Sequence, residues 1–406
     1  MRPLSHIRVL DLSRILAAPW CAQNLADLGA EVIKVERRET GDDTRTWGPP
    51  WLKDANGNDT REAAYNLSVN RGKQSVTIDI ANAEGQALIR ALAVQSDVII
   101  ENYKVGDLAR YGLDYASIRT LNPSIVYCSV TGFGQVSPFA HRPGYDFIFQ
   151  GMGGLMSITG ERDELPGGGP QKVGIAVTDI LTGLYASIAI TAALNHRQIT
   201  GTGQHIDMAL FDTIVAFNAN QIHNYWLSDQ VPKRFGNAHA NVVPYEVFAV
   251  SDGHIILAVG NDSQFASFAA AAQHPEWAND ARFATNPARL EHRDTLLPAI
   301  RDVMRSRSKH DWINTLEAAG VPVGPINDLR EVFENEHVIA RGLRKEIPHP
   351  AGVNAPTVAS PMRFSETPVT YDIPPPRLGE HTDSVLRRLL ATTDVELARL
   401  RAAKVI

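Results

Sequence analysis

Apolar residues along the first half of the chain fall into short runs separated by amphipathic stretches. Strand-like runs begin at Ile7 (IRVLDLS), Glu31 (EVIKVE), Ser75 (SVTIDI), Asp97 (DVIIEN) and Ile125 (IVYCSV), while helical spacing covers Pro19 to Leu28 and Asn82 to Val94. Near-continuous apolar strands alternating with helices predict a parallel sheet covered on both faces, an α/β architecture. After the PGGGP segment at Pro166 to Pro170, the residues Ile180, Leu181, Leu184, Ile188 and Leu194 recur at helical spacing, so a mostly buried helix is predicted to start near Thr178 or Asp179. The texture changes after a predicted helix from Leu210 to Leu227. NVVPYEVFAVSDGHIILAVG reads as two strands joined at Ser251-Asp252-Gly253, followed by helices from Ser263, Asn286 and His310, which makes a candidate second domain. VPVGPIND from Val321 reads as a return to the first domain, Pro374 to Pro376 as a rigid link, and LGEHTDSVLRRLL as a capped helix.

Composition narrows the class without naming a chemistry. A chain of 406 residues with 44% apolar and 21% charged residues fits a soluble globular protein of two or three domains. Its net charge of -6 gives no electrostatic footprint for nucleic acid. The opening MRPLSHIRVLDLSRILAAPW lacks the uninterrupted apolar core of a signal peptide, and no apolar run is read as approaching membrane-spanning length, so a cytoplasmic protein with no membrane partner is expected. Cys21 and Cys128 are the only cysteines and both sit in apolar segments, so neither a disulfide framework nor a metal site is expected.

Candidate chemistry centres on Asp179. A carboxylate at a helix start caps backbone N–H groups and complements the helix dipole, contributing about 1 kcal/mol. Bordered by an apolar helix and glycines, it is equally placed to attack an activated acyl group. Position in the chain leaves both roles open. In doubly covered parallel sheets ligands sit beyond the carboxyl ends of the strands, so Ser13 to Leu16, Arg37 and Arg38, Ile80 to Asn82, Asn102 to Lys104 and Thr131 to Gln135 carry the most weight. Arg14, Arg37 and Arg110, near successive strand ends, predict a phosphate-binding mouth. No G-x-G-x-x-G follows a strand, no G-x-x-x-x-G-K is present, and no G-x-S-x-G elbow occurs, which argues against a dehydrogenase, a P-loop ATPase and a serine hydrolase.

Taken together, RVLDLSRILAAPWCAQNLADLGAEVIKVER, GDDTRTWGPP, SVNRGKQSVTIDI, DVIIENYKVGDLARYGL, GFGQVSPFAHRPGYD, VGIAVTDILTGLYA, GTGQHIDMALFD, VVPYEVF, VPVGPINDL and LGEHTDSVL resemble the class III CoA-transferase family, over nearly the whole chain and nearest its succinate–hydroxymethylglutarate (glutarate) branch. The resemblance implies a doubly wound α/β large domain built from both chain ends plus a smaller α+β domain, in an interlocked homodimer. The corresponding boundaries are 1–205, 206–325 and 326–406. It implies that Asp179 attacks the donor thioester, passing through a mixed anhydride and an aspartyl-CoA thioester, with the CoA thioester as substrate and no tightly bound cofactor. The family's CoA contacts fall on Arg14, Ile15, Ala17, Arg37, Ile78, Asn102, Tyr103, Arg110, Arg142, Tyr145 and Asp146. Trp47 matches a tryptophan bordering the acyl site. Formyl-CoA transferase differs at Leu16, Ala81 and near Pro143, so its roles do not transfer there. An α-methylacyl-CoA racemase shares the fold but uses a histidine where this chain has Tyr145, a poor base at neutral pH. A non-catalytic acyl-CoA binder is the other alternative. For the acceptor, a dicarboxylate of four to six carbons is expected, with Arg45, His239 and Asn241 as polar side chains for its distal carboxylate.

Overall fold

Six parallel strands organise the part of the molecule that carries the candidate residues. In the computed structural model, which describes residues 1–406, these are β1 (Arg8–Asp11), β2 (Glu31–Glu36), β5 (Lys73–Thr77), β6 (Val98–Glu101), β7 (Val126–Thr131) and β8 (His205–Ala209). They run in the order β5-β2-β1-β6-β7-β8 with every neighbouring pair parallel. β6 and β7 are buried at every position, which is why they read as continuous apolar runs rather than as alternations. Strand order reverses between β1 and β6, and the loops leaving those two strands diverge there to leave a crevice.

Helices cover both faces. On one face α3 (Ala83–Val94) and the helices Thr382–Leu390 and Asp394–Ala402 share a core with Leu10, Ile33, Val76, Ile99 and Tyr127. On the other, α1 (Ala17–Asp27) packs along α7 (Val177–Thr200). The two helices approach closely because residue 183 is glycine: a Cβ there would lie 2.5 Å from the Ala17 carbonyl oxygen. Although the chain was expected to hold no apolar run of such length, α7 with its 24 residues is long and apolar enough to cross a membrane. In the fold it buries Ala186, Ile190, Ala193 and Leu194 against the rest of this unit. Smaller elements complete the layers: the hairpin β3 (Trp51–Lys53) and β4 (Asp59–Ala63), α2 (Ala64–Val69), α4 (Tyr115–Leu121), α5 (Asp146–Met152), α6 (Leu155–Ile158) and α8 (Leu210–Phe217).

Two units result, one from Met1–Leu155, Val173–Asn220 and His337–Ile406, the other from Met156–Lys172 and Gln221–Glu336. The expected boundaries at 205 and 325 therefore differ from the observed ones. The predicted Leu210 to Leu227 helix is two helices, because Ala219 takes a left-handed φ of 43° and the Asn218 amide turns back to the Gly153 and Ile214 carbonyls. In the second unit β9 (Tyr245–Val250) and β10 (Gly253–Ala258) form the expected antiparallel pair. Against expectation, VPVGPIND does not leave this unit: β11 (Val323–Pro325) is the third strand of the same sheet, paired with β10. Phe248, Ile255, Leu257, Phe265, Phe268, Ile300 and Trp312 form its core.

Candidate active site

The floor of the crevice is a buried charge network beneath the loop that leaves β1. Ile15 has a φ of 72°, a costly left-handed conformation for a β-branched residue. Its N–H is held by both oxygens of Asp42 at 3.2 Å. Asp42 in turn pairs with Lys34 Nζ at 2.9 Å, and Lys34 donates to the Ser13 carbonyl at 2.8 Å. Both side chains of that pair are fully buried. Burial alone would raise the Asp42 carboxyl, but Lys34 and the Thr44 N–H bring it down to about 2. Next to it Lys73 bonds Asp11 at 3.0 Å and the Pro19 carbonyl, and burial lowers its ammonium to about 8. Asn102 clamps the same loop from β6, accepting from the Arg14 N–H at 2.9 Å and donating to its carbonyl at 2.7 Å.

Asp179 occupies the third position of α7, whose N-cap, Ala176, has no side-chain oxygen to offer. The capping role is filled from elsewhere in the chain. Asp146, at the first residue of α5, accepts with one oxygen from the Thr178 N–H at 2.7 Å and the Asp179 N–H at 3.3 Å. Its second oxygen accepts from the Gln150 amide at 2.6 Å, and Gln150 also bonds the Ile175 carbonyl and the Val173 N–H. Of the two roles left open for Asp179, helix cap is thus already taken. Burial first, and the neighbouring Asp146 charge second, push the Asp179 carboxyl up to about 7. Tyr65 lies within electrostatic reach of Asp179, Asp146 and Asp42, and burial and these charges push its hydroxyl up to about 12, so it stays a hydrogen-bond donor. Its ring meets Trp47 edge-on at 5.0 Å.

Between floor and helix lies a cleft that brings together Arg14, Ile15, Ala17, Asn102, Tyr103, Arg142, Tyr145 and Asp179 from the expected set. Lys104 and Leu16 also line it. An adjoining small cavity adds Arg37 and Ile78, with Arg14 and Tyr103 at both. Arg14 and Arg37 share one carboxylate, Asp43, so each keeps donors for an anion.

Six expected residues line neither cavity, among them Trp47, whose ring meets Tyr65, and Asn241, whose amide bonds Asn224. Arg110 lines neither cavity; its guanidinium pairs with Asp107 and lies over Tyr111. Arg45 is buried with Nε and Nη2 on Glu36, at 2.8 and 2.9 Å, Nη2 also on the Pro376 carbonyl and Nη1 3.5 Å from Glu62, so its charge is already matched by two carboxylates away from the cleft. Asp146 is a buried helix cap rather than a wall of the cleft. His239 belongs to the second unit, where its ring packs on Tyr245 and its Nδ1 accepts from the Asn241 N–H. Lys34, Asp42, Tyr65 and Gln150 were not singled out as candidates: each lies in a strand, loop or helix where nothing local marks it, and only the fold assembles them.

A family model described as CoA-transferase family III matches residues 4–382. A succinate–glutarate CoA-transferase of Agrobacterium fabrum is 50% identical over 387 residues, covering 95% of this chain and 96% of that protein. A succinyl-CoA:glutarate CoA-transferase of Homo sapiens is 39% identical over 406 residues, covering 100% of this chain and 90% of that protein. Among solved structures, a CAIB/BAIF family protein from Brucella suis superposes with a TM-score of 0.83 at 47% identity, covering 96% of this chain and 99% of that one.

Proposed function

From CoA-transferase family III, to which the chain belongs, we propose that it carries CoA from succinyl-CoA to glutarate with Asp179 as the nucleophile. The chain is an enzyme of the CoA-transferase type acting on acyl-CoA and dicarboxylic acids. The observation that carries the mechanism is a carboxylate on the cleft wall, relieved of capping and raised to about 7. Such a group is about half ionised at neutral pH and more basic than an ordinary aspartate, hence a better nucleophile.

The bond changes close on themselves. Asp179 attacks the succinyl thioester carbonyl and expels CoA thiolate, leaving a succinyl-aspartyl anhydride. The thiolate then attacks the aspartyl carbonyl of that anhydride, expelling succinate and forming an aspartyl-CoA thioester. A glutarate carboxylate displaces the thiolate to give a glutaryl-aspartyl anhydride, and the thiolate attacks its glutaryl carbonyl, releasing glutaryl-CoA and free Asp179. The activated acyl energy passes from one species to the next, provided water stays out. Arg14, Arg37 and Lys104 supply the cations for the CoA phosphates, and Tyr103 an aromatic face.

Peptide mass spectrometry after incubation with succinyl-CoA is expected to find an acyl or CoA adduct on the peptide carrying Asp179; turnover with no adduct there overturns the assignment. For the acceptor, the specificity constant for glutarate is expected to exceed that for valerate, a preference supported by the relatives named for glutarate; a preference for valerate overturns the acceptor while leaving CoA transfer standing. A homodimer is part of the same reading, supported by the exposed apolar side chains Phe147 and Ile148 on α5 and Leu184, Tyr185 and Ile188 on α7. Light scattering that returns the monomer mass at assay concentration overturns that part alone.

A further inference from the structure

We propose that Asp146 is a positioning residue for Asp179: it occupies the backbone donors at the start of α7 from outside that helix, so that the Asp179 carboxylate stays free for attack and faces a second negative charge. This rests on the reading of Asp179 as the nucleophile.

Every helix N-terminus presents orphan N–H groups. In α7 the capping residue is Ala176, so the chain's own sequence supplies no side-chain acceptor there. An aspartate in the first turn of such a helix is drawn to those donors, and a carboxylate that accepts backbone N–H bonds becomes less basic and less nucleophilic. Asp146 removes that competition. One of its oxygens takes the Thr178 and Asp179 N–H groups, and no hydrogen bond to the Asp179 carboxylate remains. Gln150 fixes the arrangement. Its amide donates to the other Asp146 oxygen at 2.6 Å and to the Ile175 carbonyl, and its own oxygen holds the Val173 N–H, tying α5 to the segment that leads into α7. Asp146 and Gln150 are both buried, so the tie is screened little by solvent.

Charge adds to position. The titratable and charged groups on the surrounding elements are Asp146 on α5, Asp212 on α8, Tyr65 on α2, and Arg14, Lys104, Arg142 and Tyr145 around the cleft. Of these, Asp146 is the one whose charge raises Asp179, and burial acts in the same direction.

The test separates position from charge. Asp146→Asn keeps an oxygen toward the two N–H groups, removes the charge and sets an amide donor against the Gln150 donor. Gln150→Ala keeps the charge and releases its hold. For Asp146→Asn, kcat is expected to fall by about 10²-fold, as for a misplaced reacting group, with KM for succinyl-CoA within about twofold. The acidic limb of kcat/KM moves to lower pH, because removing a neighbouring negative charge favours ionisation of Asp179. For Gln150→Ala, kcat falls while the limb stays in place. Unchanged kcat in both variants overturns the proposal. So does a loss matched by an equal drop in the fraction of protein labelled at Asp179 with the limb unmoved, which is the signature of a structural cap alone. If Asp146→Asn does not fold, Gln150→Ala decides by itself, and unchanged kcat there is the overturning result. An adduct absent from Asp179 in the unaltered protein defeats the nucleophile reading instead, and is seen before either variant is made.

Discussion

Asp42 and Asp179 are two acids of one unit, bordering adjoining cavities, and burial acts on both in the same direction, yet one carboxyl lies at about 2 and the other at about 7. The difference is the partner. Asp42 meets a buried ammonium, Lys34, and two donors from Thr44, whereas Asp179 meets another carboxylate, Asp146, and no donor. Pairing turns a buried acid into a structural pin for a strained loop; withholding a partner leaves a carboxyl raised and without donors, the state that the proposed attack on a thioester uses. The cleft thus places a pinned carboxylate and an unpartnered one in neighbouring walls.

Breaking the comparison at its reactive end has the largest effect. Asp179→Asn is expected to lower kcat by ~10⁴-fold, as loss of a nucleophile does, in a coupled assay run before any deamidation. The same variant should also be more stable than the parent at pH 8. The sign follows from linkage: the folded carboxyl lies above its unfolded value, so its stabilising contribution is complete below about 4 and lost as pH rises through about 7. Thermal melts should put the variant ahead by ~1–3 kcal/mol at pH 8, with the gap closing toward pH 4.

At the structural end, Lys34→Met strands Asp42 without its cation and should cost ~3–5 kcal/mol of stability, read from urea unfolding. Asp42 titrates in the opposite sense to Asp179. Its folded carboxyl is depressed, so its contribution is present above the ordinary carboxylate range and is lost as pH falls toward about 2. A milder probe compares two arginines that looked alike in the sequence. Arg37→Ala should raise KM for succinyl-CoA by about tenfold or more, the loss of a charge-assisted contact of ~1.5–3 kcal/mol. Arg110→Ala, outside both cavities and paired with Asp107, should leave it within about twofold. Equal effects in the two variants would place the phosphates elsewhere.

Much of the sheet was legible because doubly covered strands are apolar throughout: DVIIEN and IVYCSV announced β6 and β7 with little error. Val323–Pro325 was misread since its glycine and proline, with Pro322 before them, look like linker chemistry, while pairing to β10 is a fact of tertiary contact. The break at Asn218 and Ala219 was hidden for a related reason, as neither residue is a helix breaker by type. At the site, the helix start at Asp179 could be read from spacing. That the cap comes from Asp146, 33 residues earlier, could not. Arg14 and Arg45 are both candidates in the sequence, and only the position of Glu36 tells the half-exposed ligand candidate from the buried pillar.

The unit bearing the cleft is assembled from three separated stretches of chain, the last being His337–Ile406. β5 and the turn after it are joined to that last stretch by backbone bonds from His381 to Ser75 and from Asp79 to Val405. During synthesis, at about 5–20 residues per second, the first 155 residues leave the ribosome well before their final partners exist. Leu10, Ile33, Val76 and Ile99, which end up under Leu386, Leu397 and Leu400, must wait tens of seconds with apolar surface uncovered.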